Sequence, residues 1–567
     1  MTDKRIPVVT EIGADGREHA AVSMGKKGCE DNLMYIAPRQ AIPIIFVPGI
    51  MGTPLLATGD NKGLIRHVDG KWSWFPDSLY WLGVSMTTGG FNRLSPEQKK
   101  TLLDPRNTQV PRAMGEADFS GLDLDKCILP KPEMERRGWG SIILGKHGYG
   151  SIVNFLEKEL RSLYHAKDNS KPTVKGTMLA YQSEIESMHG YEALDIDAYK
   201  KASAWSYPVY ASGYNWLRSN EESADELAKF IEFVLSDCAT RLKLKCSHVI
   251  VVTHSMGGLV ARRCAQKHPE HILGIVHGVQ PAIGAATAYR RVRAGWEDVA
   301  GRLAIGANAR EVTPIFASPG PLQLLPNQLY GNNWLNVHWR SKDTTALMSL
   351  PEQNNPYKEI YANTTSWWRL CDPQLVDPRQ KTLPKISEAW ELYLKNLKSA
   401  EDFHAELGNY YFPSTYAHYG TDRGYPAWHK IQWIIEGVRN ATGNYSNPPS
   451  IEVTPNLKLT ADNQTNYVIL KNLATAGKVA YQPLQGPALI GVNYSGDAYR
   501  ATMASPDDSG DGTVPMHSAD ALTKFVTFSA KLKGFDHAHS YDNKTVRAVT
   551  LHSIISISKH AKNLCKP

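Results

Sequence analysis

The 567-residue chain contains no apolar run approaching the roughly 18 residues that a membrane-spanning helix needs. Its seven cysteines (Cys29, Cys127, Cys238, Cys246, Cys264, Cys371 and Cys565) are scattered, odd in number and without C-x-x-C spacing. That pattern argues against both a disulfide framework and a thiolate metal site. Long basic runs are missing as well. With 63 Lys and Arg against 56 Asp and Glu, the net charge of +7 is mild for this length. A nucleic-acid binder is not expected, although a weak preference for anionic surfaces is compatible with the balance. No repeat and no low-complexity tract interrupts the chain. The start, Met1-Thr2-Asp3-Lys4-Arg5-Ile6-Pro7, carries charge with no apolar segment behind it, so a cleaved signal peptide is not expected. What remains is an ordinary globular composition, 42% hydrophobic and 21% charged, and enough length for several domains or for one core with large insertions.

The most informative stretch is His248-Val249-Ile250-Val251-Val252-Thr253-His254-Ser255-Met256-Gly257-Gly258. A β-branched run of this kind reads as a buried strand, and it ends at a serine. Leu259 to Lys267 then reads as a helix stopped by Pro269. A serine on a sharp strand-to-helix turn has its hydroxyl exposed, and the helix N-terminus favours negative charge beside it. The pattern is a G-x-S-x-G elbow with Thr253 at the first glycine position. An ordinary turn with Ser255 as a helix cap is the alternative for this segment alone.

Other core segments surround the elbow. Ile42–Val47 is a short apolar strand running into Pro48-Gly49-Ile50-Met51-Gly52, where a loop could supply one oxyanion donor; the N–H of Met256, after the serine, would be the other. Tyr207–Trp216 reads as a strand and loop. A capping box from Ser219 to Glu222 opens a helix with Leu227, Phe230, Ile231, Val234, Leu235 and Cys238 on one face. Strands are expected at Ile272–Val276, Thr415–Gly420 and Phe525–Phe528, and a closing helix at Lys544–Lys559. Strand and helix in succession imply a mostly parallel sheet. The fold class expected is therefore α/β, an α/β-hydrolase core interrupted by large cap insertions. The core comprises 41–56, 201–334, 411–440 and 501–567. An arm occupies 1–40, a first cap 57–200, a second, helical cap 335–410 and a small β insertion 441–500. The aromatic cluster Trp72, Trp74, Phe75, Tyr80 and Trp81 is expected to pack rather than to bind. Arg290, Arg291 and Arg293 are expected on a solvated helix face, with a basic lid as the alternative.

Acyl transfer by serine needs a base, a carboxylate to orient it and donors for the oxyanion. The order Ser255, Asp511, His537 supplies these groups in the sequence order of α/β-hydrolases. His539 lies two residues from His537, and position alone does not separate them; Asp422 is the rival acid. Asp507-x-Ser509-x-Asp511-Gly512 also mimics the start of a Ca²⁺ loop, but Ser518 stands where a bidentate Glu is needed, so no metal or other cofactor is expected. His254 is read as a packing residue.

Val47-Pro48-Gly49-Ile50-Met51-Gly52, the elbow, Leu324-Leu325-Pro326, Tyr419-Gly420 and Gly510-Asp511-Gly512-Thr513-Val514-Pro515 together resemble the landmarks of two lipase groups, lecithin:cholesterol acyltransferase-like and GPI-inositol-deacylase-like. The resemblance is nearest to the phospholipase effectors of bacterial type VI secretion and covers under half the chain. It implies Asp511 as the acid, Ile50 and Met256 as oxyanion donors, and, through the pattern H-x-x-x-Tyr before a helix, His537 as the base. It further implies a phospholipase made in the cytoplasm and delivered to a rival's periplasm. The partners implied are a membrane phospholipid substrate, a cognate immunity protein and a component of the secretion apparatus. The other readings are a housekeeping esterase or thioesterase on soluble esters, and a binding protein that has kept the fold without catalysis.

Overall fold

The computed structural model describes residues 38–58, 71–76, 91–119, 122–145, 148–161, 185–438, 445–462, 465–472 and 497–562. Outside these ranges it gives the backbone of five short strands, Thr10–Ile12, Glu18–Val22, Asn32–Ile36, Tyr164–His165 and Thr173–Val174. The first three pair in antiparallel fashion within the expected arm. Tyr80 and Trp81 of the expected aromatic cluster lie outside the described residues.

Six parallel strands form the central sheet. In spatial order they are Val209–Ala211, Ile44–Val47, Val249–His254, Ile272–Gly278, Thr415–Gly420 and Phe528–Leu532. Both faces are covered, which explains why the strands read as unbroken β-branched runs. Ile45, Val47, Val249 and Val251 point into one core, with Leu227, Ile231 and Val234 of the helix Asn220–Thr240 and Leu259 and Val260 of the helix Gly257–Lys267. Ile44, Phe46, Ile250 and Val252 point into the other, with Val549, Ile554 and Ile557 of the closing helix Lys544–Ser558. The last strand begins at Phe528, three residues later than the sequence suggests, because Thr523–Phe525 forms a single 3-10 turn.

The first insertion is partly a wall of this sheet. Val209 N–H donates to Glu157 Oε2 at 2.9 Å, Trp139 Nε1–H donates to the Val209 carbonyl at 3.0 Å, and Ala211 N–H donates to the Arg137 carbonyl at 2.9 Å. The unpaired side of the edge strand is thereby satisfied, closing an edge that would otherwise be open to another chain. Trp72, Trp74 and Phe75 are buried, as packing requires. The N-terminus of the helix Asn220–Thr240 is held differently from the expected capping box. Ser219 Oγ accepts from Glu221 N–H, and Gln323 takes the place of Glu222 by accepting from Asn220 N–H at 2.8 Å and donating to Ser219 Oγ at 2.9 Å.

A second six-stranded sheet runs Ala346–Leu350, Leu335–Trp339, Ile431–Gly437, Ala498–Met503, Tyr467–Lys471, Lys458–Asp462. All its pairings are antiparallel except that of Leu335–Trp339 with Ile431–Gly437. The segment expected to be a helical cap thus opens with two strands before its 25-residue helix Leu383–Leu407. Strands from three separately delimited stretches combine here, a pairing that local pattern does not reveal. The arginine-bearing helix Ala286–Ala294 is not a solvated face or a lid. Arg290, Arg293 and most of its other side chains are buried. Arg293 pairs with Asp462 at 2.9 Å and lies over Trp433, while Arg291 pairs with Glu297 and lies 4.3 Å from the ring centre of Trp296. Charge that reads as surface from sequence is neutralised by acids and aromatic faces inside the protein. Among the described residues, no helix is long and apolar enough to cross a membrane.

Several histidines are buried in these elements. Burial holds His277 and His418 down to about 3 and His404 to about 4. The unfolded chain binds protons at these sites below about pH 6.5, whereas the folded chain refuses them until pH 3–4, so stability falls as pH drops through that window. At pH 5 the loss is about 2 kcal/mol for each such histidine. We expect the urea-unfolding free energy to decline steadily from pH 7 to pH 5, and replacing His404 with Leu to shallow that slope. An unfolding free energy flat across this range would contradict the buried neutral state.

Candidate active site

The serine sits where the strand Val249–His254 meets the helix Gly257–Lys267. Its φ of +52° lies in the left-handed region, a conformation costing a non-glycine residue roughly 1–3 kcal/mol and tolerated only where neighbours over-determine it. They do so here. Ser255 N–H donates to the Gly278 carbonyl at 2.8 Å, and the buried Tyr541 hydroxyl donates to the Thr253 carbonyl at 2.8 Å. Thr253, where the usual pattern has glycine, turns its Oγ1 to His277 Nδ1 at 3.0 Å on the neighbouring strand. The threonine is accommodated by this cross-strand contact, and the turn stays tight. Gly257 is needed for a different reason: a Cβ there would come within 2.3 Å of the Pro48 carbonyl oxygen and 2.6 Å of that of Val47.

His537 lies in the loop before the closing helix. Its Nε2 is 2.8 Å from Ser255 Oγ and its Nδ1 is 2.8 Å from Asp511 Oδ2. The other oxygen of Asp511 accepts the N–H groups of Thr513 and Val514 at 3.0 and 2.8 Å, and the Asp511 carbonyl accepts His537 N–H at 2.8 Å. Ser255 and Asp511 are 4% and 1% exposed, so this line of three groups is shielded from bulk water at its acid end. His539 instead turns to Asp536 at 3.0 Å. Asp422 is likewise elsewhere, in a two-stranded ribbon, accepting from Gly424 N–H and Gly534 N–H. Asp507 accepts from the backbone N–H groups of His429 and Lys430, so it and Asp511 serve different partners.

The amides of Ile50 and Met256 donate to no protein acceptor among the described residues. Met51, next in the loop, has a φ of +62° and its carbonyl accepts Trp74 Nε1–H at 2.7 Å, which fixes the loop from outside. Arg291 Nη2 donates to Thr513 Oγ1 at 3.1 Å and so steadies the acid's turn. No signal in the sequence pointed to Trp74 or Arg291 in these roles. A serine, an imidazole and a buried carboxylate aligned in this way can relay a proton off the hydroxyl while the carboxylate steadies the imidazolium.

Residues 191–346 match the α/β-hydrolase fold family. The chain also matches a chain in the crystal structure of the Tle4–Tli4 complex, with 26% identity over 92% of this chain and 99% of that one, at a TM-score of 0.70. The fold is that of the α/β-hydrolases. The motif resemblance to the lipase effectors of type VI secretion stands with this match. A further match, the phospholipase PlaB from Legionella pneumophila, is 13% identical over 52% of this chain and 73% of that one, at a TM-score of 0.13. No curated protein matches the chain significantly. Within the hydrolase fold, the serine's turn, the acid's turn and the histidine's loop all lie at the carboxyl ends of parallel strands, where such sheets bind ligands.

The close approach at Gly257 gives a direct test. Gly257→Ala forces backbone carbonyls apart with no flexible side chain to yield, and overpacking of this kind costs typically 1–3 kcal/mol. A lowered urea midpoint is the expected outcome. A midpoint equal to that of the unaltered protein would show that the contact is not tight.

Proposed function

We propose that this chain is a serine carboxylester hydrolase acting on membrane phospholipids. The observation that carries the reading is the continuous line Ser255 Oγ, His537 Nε2, His537 Nδ1, Asp511 Oδ2, with 2.8 Å at both contacts. His537 takes the hydroxyl proton as Ser255 Oγ attacks the acyl carbonyl. Asp511, held by two backbone amides, keeps the imidazole in the tautomer with its proton on Nδ1 and stabilises the imidazolium. The amides of Ile50 and Met256 receive the oxyanion, whose charge is further favoured by the N-terminus of the helix Gly257–Lys267. His537 then returns its proton to the departing alcohol, leaving an acyl-serine. Water, deprotonated by the same histidine, releases fatty acid. No step in this scheme calls on a metal.

The biological setting rests on the type VI lipase motifs and the extensive match to a chain solved within the Tle4–Tli4 complex. Both support an antibacterial phospholipase, delivered to the periplasm of a target cell and held inactive at home by a dedicated immunity protein. A housekeeping esterase on soluble substrates would use the same three residues, and substrate preference separates the two.

Fatty-acid release from phospholipid vesicles, compared with cleavage of a short soluble ester, tests the reading. Ser255→Ala should lower kcat by roughly 10⁴- to 10⁶-fold, and Asp511→Asn by about 10⁴-fold, with folding intact. Retained turnover in purified, folded Ser255→Ala protein would refute the nucleophile. Rapid cleavage of the soluble ester with none of the vesicle lipid would favour the esterase.

A further inference from the structure

One directed chain of hydrogen bonds beside the nucleophile has no part in the scheme above. Gly49 N–H lies 3.1 Å from Tyr149 Oη, Tyr149 Oη lies 3.0 Å from His254 Nδ1, and His254 Nε2 lies 2.8 Å from the carbonyl oxygen of His537. Resting on the serine-hydrolase reading, we infer that His254 and Tyr149 are positioning residues that pin the loop of the catalytic histidine to the oxyanion loop.

The direction of every bond in this chain is fixed by its ends. An amide N–H only donates, so Tyr149 Oη accepts from Gly49 and keeps its own proton to give. A carbonyl only accepts, so His254 carries its proton on Nε2 and gives it to His537. A neutral imidazole then has its lone pair on Nδ1, where the Tyr149 hydroxyl donates. Burial and the adjoining His537 ring push the His254 pKa well below the usual histidine range, which keeps this single neutral tautomer in place. The Tyr149 pKa is pushed up by burial, so its proton stays on the hydroxyl.

Two consequences follow from these partners. The main chain of His537 is held on both sides: its N–H by the Asp511 carbonyl at 2.8 Å and its C=O by His254. With its main chain fixed in this way, the loop cannot carry the imidazole away from Ser255 without breaking one of these bonds. The Gly49 amide, meanwhile, is occupied by Tyr149 and is not available to an oxyanion, whereas the next amide, that of Ile50, donates to no protein acceptor among the described residues. His254 cannot itself be the base, because its Nε2 is engaged with a carbonyl and its Nδ1 with a hydroxyl. The space is as exacting as the bonding: a Cβ on Gly49 would lie 2.7 Å from His254 Nδ1 and 2.9 Å from Ser255 Cβ. Tyr149 comes from the first insertion, just before the helix Gly150–Glu159, and packs on Phe46 of the central sheet with ring centres 5.0 Å apart. The insertion therefore supplies a part of the site's framework.

The experiment uses the full chain with Tyr149→Phe, His254→Phe, His254→Gln and the Tyr149→Phe/His254→Phe double variant. Two readouts are taken: hydrogen–deuterium exchange, and kcat per active site titrated with a fluorophosphonate. Exchange across residues 534–541 should rise in Tyr149→Phe and His254→Phe while the closing helix stays protected. Misplacement of a catalytic group on the scale of 1 Å costs up to about 100-fold, so kcat per labelled site should fall roughly 10- to 100-fold in His254→Phe, with KM within about twofold. Tyr149→Phe, which keeps the ring and removes one hydroxyl, should show a smaller fall in the same direction. His254→Gln, whose side-chain amide can still donate to the His537 carbonyl, should recover most of the loss. In the double variant the fall should be smaller than the product of the two single falls, because both changes break the same link. A purely structural role would lower the fraction that labels and leave kcat per labelled site unchanged; that result, or unaltered exchange across 534–541 in Tyr149→Phe, overturns the inference. If the unaltered protein neither labels nor turns over, while exchange rises in the variants as stated, the pinning stands and the serine-hydrolase reading falls.

Discussion

The site depends on how closely a helix can begin against the strand beside it. Gly257 passes so near the carbonyl oxygens of Val47 and Pro48 that a single methyl group would overlap both. This contact draws the end of the strand Ile44–Val47 against the start of the helix Gly257–Lys267, two residues after Ser255. The left-handed φ of Ser255 follows from the same constraint, since a strand that must become a helix within one residue has no relaxed route. Buried hydrogen bonds from the flanking strand and from Tyr541 offset that strain, and the two cores on either face of the sheet keep those partners from moving.

The features legible in the sequence are those whose physics is local. Val249–Val252 declares a strand buried on both faces because every residue in it is β-branched, and the serine followed by glycines declares the turn. The order of Ser255, Asp511 and His537 could be read because chain order is a property of the sequence. Choosing between His537 and His539 is a matter of geometry: two residues in one loop have similar surroundings in sequence and different neighbours in space, Ser255 for one and Asp536 for the other.

What could not be read depends on partners far apart in the chain. Arg293 looks like a surface charge until Asp462, 169 residues away, is brought beside it. Gln323 caps a helix that begins 103 residues earlier, so a rule that looks three residues ahead finds Glu222 instead. The second sheet draws strands from 335–350, 431–437 and 458–503, sources too far apart for the window of roughly 11–18 residues in which periodicity is read. His254 is a harder case. Its position beside the nucleophile is evident, but its role is set by Tyr149, 105 residues earlier, and by the carbonyl of His537, 283 residues later.

These long-range ties bear on what the first insertion is for. A lid must separate from the core at modest cost, which requires few buried polar bonds between them. The stretch around Trp139, Tyr149 and Glu157 has the opposite character: it closes the sheet's free edge through Val209 and Ala211 and supplies a hydroxyl between Gly49 and His254. Lifting it would strip hydrogen bonds from an edge strand and expose apolar surface at Ile152, Val153 and Leu156. This part of the insertion is accordingly a fixed wall of the hydrolase core. An insertion boundary drawn from sequence marks where the chain leaves the sheet. It does not mark where the rigid body ends.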